Sequence, residues 1–236
     1  MNIRLYVIHN SHPCDAVARA LELKGLPYRT VEWPPLLHTV AQTVIFGSRT
    51  VPALRLDEEK IQGTTRIFHR LDALVPEPAL FPAQRPAVEV AERWGNEEFQ
   101  QVARDLIWAA AGHHPAALVS YTQGSRLPLP PALVKLNAPL IVAAERRLQR
   151  TDDATGRRRL AELPGQIEKI NAWIEDGTIG DLAHPNAADL QILSTVRLLA
   201  SIGDVAPLLA ASPALDLALA LFHGPVGGSL PAGALA

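Results

Sequence analysis

Pro76, Pro78, Pro82 and Pro86 crowd one short stretch of the chain, and the sequence differs in kind on its two sides. Proline fixes its own φ, has no N–H to donate and biases the residue before it away from helix, so neither a helix nor a central strand runs through such a cluster. Before it, short runs of strand-type residues alternate with helical spacing; after it, strand signals vanish and only helical spacing remains. The chain therefore divides into an α/β unit over residues 1–76, a stiff Pro-rich linker over 77–86, an all-helical unit over 87–223 and a Gly/Pro/Ala-rich tail over 224–236, which is expected to be flexible.

In the first unit, residues 3–8 read as a short buried strand, followed by a polar turn and a helix over Cys14–Lys24 with Val17, Ala20, Leu21 and Leu23 on its apolar side. Gly25 stops that helix. A second strand spans 27–33, a Pro- and His-rich loop 34–38 and an irregular helix 39–46; a third strand spans 51–56, a turn 57–59 and a return strand 60–62. Thr64 or Thr65 is placed to cap a last helix that runs to Leu74. The order β-α-β-α-β-β-α predicts a mixed four-stranded sheet with helices on its faces. Beyond the linker, Val88, Ala91, Gly95, Phe99, Val102 and Leu106 keep a three-to-four-residue spacing that predicts a long amphipathic helix over 87–111. Further helices are expected at 131–150 (kinked at Pro139), 157–176, 187–202, 204–211 and 213–222. Asn186 and Asp189 have the spacing of an N-cap and its reciprocal acid, with Pro185 and Leu190 placed as a hydrophobic staple.

Composition limits the classes of function. With 48% hydrophobic and 19% charged residues, the 236-residue chain fills a core, and a net charge of -2 gives no bulk attraction to nucleic acid or to an anionic membrane. A single cysteine, Cys14, excludes an internal disulfide and fits a reducing compartment. The N-terminus reads as strand rather than signal peptide, and the longest apolar runs are broken well short of a membrane span, so a soluble, cytoplasmic protein is expected. His113-His114 has no carboxylate or Cys at ligand spacing, so no metal is expected, and Arg157-Arg158-Arg159 reads as a solvated helix start. There is neither a Gly-rich phosphate loop nor a Gly-x-Ser-x-Gly elbow.

Three local features share the first unit. Ser11-His12-Pro13-Cys14 lies between the first strand and the first helix, Val51-Pro52-Ala53-Leu54 starts the third strand, and Gly63-Thr64-Thr65-Arg66-Ile67 opens the last helix. Together with Pro185-Asn186-Ala187-Ala188-Asp189-Leu190, these resemble the motifs of the glutathione transferases, in order and over nearly the whole chain. The resemblance implies a thioredoxin-like N-terminal domain with an all-helical C-terminal domain, and an enzyme that binds glutathione or a related thiol as co-substrate and presents its thiolate to an electrophile. A helix N-terminus favours an anion and a hydroxyl donor favours thiolate over thiol. Ser11 stands where the family places its thiol activator; its other reading is a helix N-cap. Cys14 is either a residue that forms a mixed disulfide with glutathione, giving a thiol reductase, or a buried helix residue. His12, where the family often has Pro, is a ring near the sulfur or a solvated loop residue.

The resemblance further implies a cis Val51–Pro52 bond whose Val51 backbone pairs with the bound tripeptide; the residues alone also allow a trans proline starting an edge strand. Gly63, Thr64 and Thr65 would hold the γ-glutamyl end at a helix N-terminus. Gly63 replaces the acid or amide usual there, which removes a contact to the tripeptide's amino group, and this feeds the alternative of a non-catalytic ligand-binding or interaction protein. The second-substrate pocket would draw on Arg104 and Trp108, which share a helix face, and on Tyr121. A homodimer is implied as well.

Overall fold

The computed structural model describes residues 1–34, 37–127 and 129–235. Its sheet consists of β1 (Ile3–Val7), β2 (Arg29–Glu32), β3 (Ala53–Leu56) and β4 (Glu59–Gln62), in the spatial order β2-β1-β3-β4. β1 runs parallel to β2 and antiparallel to β3, and β3 is antiparallel to β4; Leu5 faces Leu54, which in turn faces Ile61. The parallel pair requires a crossover, and α1 (His12–Leu23) supplies it. α2 (Leu37–Phe46) and α3 (Thr64–Leu74) complete the predicted order. Val17 and Leu21 of α1 and Ile67, Phe68 and Leu71 of α3 are fully buried with the sheet residues Leu5 and Leu54, as an amphipathic helix on a sheet requires. α1 starts two residues earlier than expected, because Pro13 fits the first turn of a helix, where its missing N–H is not needed. α2 takes in Leu37 and His38 from the expected loop, of which residues 35 and 36 lie outside the described residues.

The helical part begins as α4 (Ala87–Trp94), a π-helical turn (Gly95–Phe99) and α5 (Gln100–His113), one continuous rod where one helix was expected. Gly95, in the π turn, suits a place where another helix passes close by: a Cβ there would stand 2.9 Å from Ile192 and 3.0 Å from Gln191. Those residues belong to α8 (Ala187–Leu199), which is buried along nearly its whole length and packs on α1, α4 and α5. Its start is a complete capping box: the Asn186 side chain accepts from the backbone N–H of Ala188 (2.9 Å) and Asp189 (3.2 Å), and Asp189 accepts from the Asn186 N–H (2.9 Å). α8 also ties the two halves together through Arg197, which reaches Asp15 of α1 at 2.9 Å.

α6 (Pro131–Gln149), α7 (Asp153–Glu175), α9 (Ala206–Leu209) and α10 (Pro213–Leu221) complete the chain. α7 starts a full turn earlier than the expected residue 157, because the Asp152 side chain caps it by accepting from Thr155 N–H at 2.8 Å. The Arg157–Arg159 run is therefore inside the helix, and Arg159 turns inward to pair with the buried Asp105 at 3.0 Å.

Two connections differ from expectation. The tail expected to be flexible is folded onto the helical part: Val226, Leu230, Ala234 and Leu235 are buried, and Leu230 N–H donates to Ser201 O at 2.8 Å. Asp204 accepts from the N–H groups of Gly233, Ala234 and Leu235 at 2.6, 2.9 and 3.0 Å, which satisfies backbone that would otherwise need water. The Pro-rich segment is pinned as well. Leu80 is fully buried, its carbonyl accepts from Ala187 N–H at 2.9 Å, and Asp72 accepts from the N–H groups of Leu80 and Phe81, both at 2.9 Å.

Candidate functional site

A cavity of about 710 Å³ lies between the α/β and helical parts. The turn from β1 into α1 brings Ser11 and His12 to its wall, the segment before β3 brings Arg49 and Val51, and α5 brings Arg104 and Trp108. Tyr121 and Leu118, on a 3-10 turn over Pro115–Thr122, and Glu145 of α6 line the remaining sides. Of the residues the sequence assigns to thiol binding, Ser11, His12 and Val51 line this cavity, and so do Arg104, Trp108 and Tyr121, assigned to a second-substrate pocket; Gly63, Thr64 and Thr65 do not.

Ser11 occupies the N-cap position of α1 with extended backbone, and its carbonyl accepts from the N–H groups of Cys14 (2.8 Å) and Asp15 (3.0 Å). Its hydroxyl makes no capping bond among the described residues. It acts instead on the Cys14 thiol. Cys14 itself is only 2% exposed and faces the core. Burial pushes its thiol up to about 12, outweighing the Ser11 hydrogen bond and the positive charge of Arg104. Of its two readings the structure favours the buried helix residue, and Cys14 is withdrawn as a catalytic candidate because its thiol is shielded from solvent and stays protonated at neutral pH.

His12 is a second correction. The solvated loop residue is in fact 4% exposed, because helix α1 has already begun at this position and α5 lies close by with Arg104. Burial, with Arg104 adding to it, holds its imidazole well below the ordinary histidine value, and its Nε2 has no hydrogen-bond partner among the described residues. The ring is therefore neutral at physiological pH.

A smaller, polar cavity of about 340 Å³ opens at the start of α3, lined by Gln62 to Arg66 and by Glu89, Glu92, Arg93, Asn96 and Glu97. The Val51–Pro52 bond is cis, and Pro52 O accepts from Gly63 N–H at 3.1 Å. Gly63, not a threonine, is the N-cap of α3; its φ of 92° lies in the left-handed region, so a side chain there would be strained. Thr64 is the buried first residue of the helix, and Thr65 donates its hydroxyl to Glu92 at 2.7 Å. Glu92 is 1% exposed, and burial, opposed by the Thr65 bond, pushes its carboxyl up to about 7. Gln62 joins the rims of the two cavities, its side-chain amide donating to the backbone oxygen of Thr50 at 3.3 Å.

Several site residues were not foreseen. Trp33 and His38 line the large cavity, each with a buried ring nitrogen that has no partner among the described residues. Glu145 had a legible signal, since it continues the buried face of Ala138 and Val142 at helical spacing. The folded tail has a role here too: Gly228 lies against the Tyr121 ring, where a Cβ would come within 2.5 Å, and the Tyr121 hydroxyl is 2.7 Å from Ser201 Oγ. His113 pairs with Asp153 at 3.3 Å, and among the described residues no three metal-ligating side chains converge.

Residues 5–79 match the sequence model of the glutathione S-transferase N-terminal domain. The first domain is a glutathione S-transferase domain. The same fold, with the thioredoxin-like sheet first and the helical domain after it, extends over 93–95% of the chain in three solved structures. A glutathione S-transferase from Rhodospirillum rubrum superposes with a TM-score of 0.63 at 21% identity, covering 95% of this chain and 90% of its own. A glutathione S-transferase-I bound to lactoylglutathione gives 0.60 at 19% identity, over 93% of each chain. A glutathione S-transferase of Ceriporiopsis subvermispora in complex with glutathione gives 0.61 at 16% identity, over 94% of this chain and 97% of its own. No curated protein matches the chain in sequence. Among the described residues no helix is long and apolar enough to cross a membrane.

Proposed function

We propose that the chain is a glutathione transferase that binds glutathione, or a related low-molecular-weight thiol, across the two cavities and activates its sulfur at Ser11. The observation that carries this reading is that a hydroxyl at the N-terminus of α1 and Val51 of the cis Val51–Pro52 segment line the large cavity, while the N-terminus of α3 lines the smaller polar one, with Gln62 reaching from its rim to Thr50 on the other. The positive end of α1 and the Ser11 hydroxyl favour a sulfur anion, while the Val51 backbone pairs with the cysteinyl backbone of the tripeptide. The γ-glutamyl carboxylate takes the N-terminus of α3 at Thr64 and Thr65. The side chain that Gly63 lacks is replaced from α4 and the π turn after it: Glu92, with Glu89 of α4 and Glu97 of the turn, faces the same cavity and supplies negative charge for the ligand's ammonium group. The burial of Cys14 argues against reduction through that thiol. A homodimer remains part of the proposal by family likeness.

The test is calorimetric titration with reduced glutathione. One-to-one binding, weakened at least tenfold by Glu92→Gln, is expected; no heat up to several millimolar with folded protein would contradict the reading. The same substitution has a stability signature. A carboxyl whose folded value is raised from 4.5 to about 7 contributes stability that is present below 4.5 and lost as pH rises through 7. Glu92→Gln is therefore expected to unfold at higher denaturant concentration than the wild type at pH 8, by roughly 2–3 kcal/mol, with the gain fading toward pH 4.5.

A further inference from the structure

Six of the eleven exposed large apolar side chains among the described residues sit on two helices. Leu37, Val40 and Val44 belong to α2, and Leu133, Leu136 and Leu140 to α6; all are between 51% and 80% exposed. Both sets have the spacing i, i+3, i+7, which confines each to about 60° of its helix. Leu37 and Leu133, the first member of each stripe, also line the large cavity, so both stripes start at its rim and continue over the surface. Single exposed leucines need no explanation, but two aligned stripes that meet at one cavity mark a docking face.

The exposed charge on this face is of one sign. α2 has no Asp, Glu, Lys or Arg, and the only carboxylate of α6, Glu145, is buried. Glu32, the other carboxylate on the cavity wall, accepts from the Ser125 hydroxyl and the Arg126 N–H. Lys135 and Arg147 of α6, and Arg150 just after it, are exposed; of the α6 cations only Arg146 is in an ion pair among the described residues, with Asp153. Arg147 falls on the same arc of α6 as Leu136 and Leu140. Arg49, three residues beyond α2, is exposed on the cavity rim as well. The chain's net charge of -2 conceals this cationic face.

We propose that the two stripes dock on the surface of an anionic phospholipid bilayer. The leucines and valines enter the acyl boundary, Lys135, Arg147 and Arg150 lie among the headgroup phosphates, and the mouth of the large cavity faces the lipid. The helices lie in the interface plane, since neither is long and apolar enough to cross it. A second copy of this chain is the poorer occupant, because a two-fold contact through this face sets its positive charges against one another. The proposal requires no bound thiol and stands apart from the transferase reading.

The experiment is co-sedimentation of the full chain with vesicles of phosphatidylcholine alone and with vesicles of phosphatidylcholine and phosphatidylglycerol in equal amounts. Binding to the mixed vesicles is expected, about tenfold or more tighter than to phosphatidylcholine alone and weaker as salt is raised. Two double variants separate the contributions, and none of their four residues lines either cavity. Leu136→Ser with Leu140→Ser, and Lys135→Glu with Arg147→Glu, are each expected to weaken binding about tenfold or more while the urea midpoint stays nearly unchanged, because all four side chains are exposed. No binding of the folded wild type to the mixed vesicles leaves the face to a protein partner and overturns the proposal. Unchanged affinity in either double variant overturns it too. A wild-type dimer that dissociates in Leu136→Ser with Leu140→Ser, read by light scattering without lipid, assigns the face to a second copy and overturns it equally.

Discussion

Ser11→Ala is expected to lower kcat for conjugation of glutathione about a hundredfold while leaving glutathione affinity within a few-fold of wild type. The loss follows from what the hydroxyl does. A donor aimed at a developing or resident anion in a site shielded from water is worth on the order of 2.7–4 kcal/mol of barrier. On the proposed reading the rest of the ligand is held elsewhere, at Val51 and at the start of α3, so binding is expected to survive the change. The α1 helix survives it too, because the Ser11 side chain makes no capping bond among the described residues. Cys14→Ala is the companion variant. It removes a buried thiol held near 12 and is expected to retain most activity, with a modest loss of stability from lost packing. Steady-state kinetics on both variants separate the two residues: a loss confined to Cys14→Ala would reverse the assignment.

Lys24→Met is expected to cost about 3–5 kcal/mol of folding stability, read as a lower urea midpoint with an unchanged slope. Lys24 follows the last turn of α1 with its side chain fully buried. Its ammonium donates to Asp72 at 2.6 Å, to Val75 O at 2.7 Å and to Pro78 O at 2.5 Å. One cation thus joins α1, α3 and the start of the Pro-rich segment, and all three of its donors are used. Methionine fills similar volume yet leaves Asp72 and two carbonyls short of a donor in a partly buried place. The surface pair of Arg93 and Glu89, 3.3 Å apart with both side chains 57% exposed, is the contrast: breaking it is expected to cost at most about 0.5 kcal/mol.

Lys24 also shows where sequence reading stops. At the end of an apolar helix face a lysine reads as a solvated C-terminal charge, and nothing local announces that Asp72 and Pro78 will surround it. The Asp204 bonds to residues 233–235 have the same character, and that is why a Gly/Pro/Ala-rich tail was expected to be flexible. The Asn186–Asp189 box was legible because both partners lie within one turn. Asp152 offered an equally local cap and was missed, since the apolar spacing of α7 only becomes clear further along. In the site, Ser11, Arg104 and Trp108 were placed together through family likeness. The burial of His12 depends on how the helical domain closes over the sheet, which spacing does not encode, whereas Glu145 continues the helical spacing of Ala138 and Val142.

The central claim is that this chain lowers the pKa of a bound thiol through Ser11. The measurement that tests it most directly is the ultraviolet thiolate absorbance of glutathione bound to the protein, titrated with pH. A free cysteine-type thiol titrates near 8.5. The account predicts a thiolate band already present at about pH 7 in the wild-type complex, displaced to the free value in Ser11→Ala while calorimetry still shows bound ligand. A bound thiol that titrates near 8.5 in both proteins would contradict it.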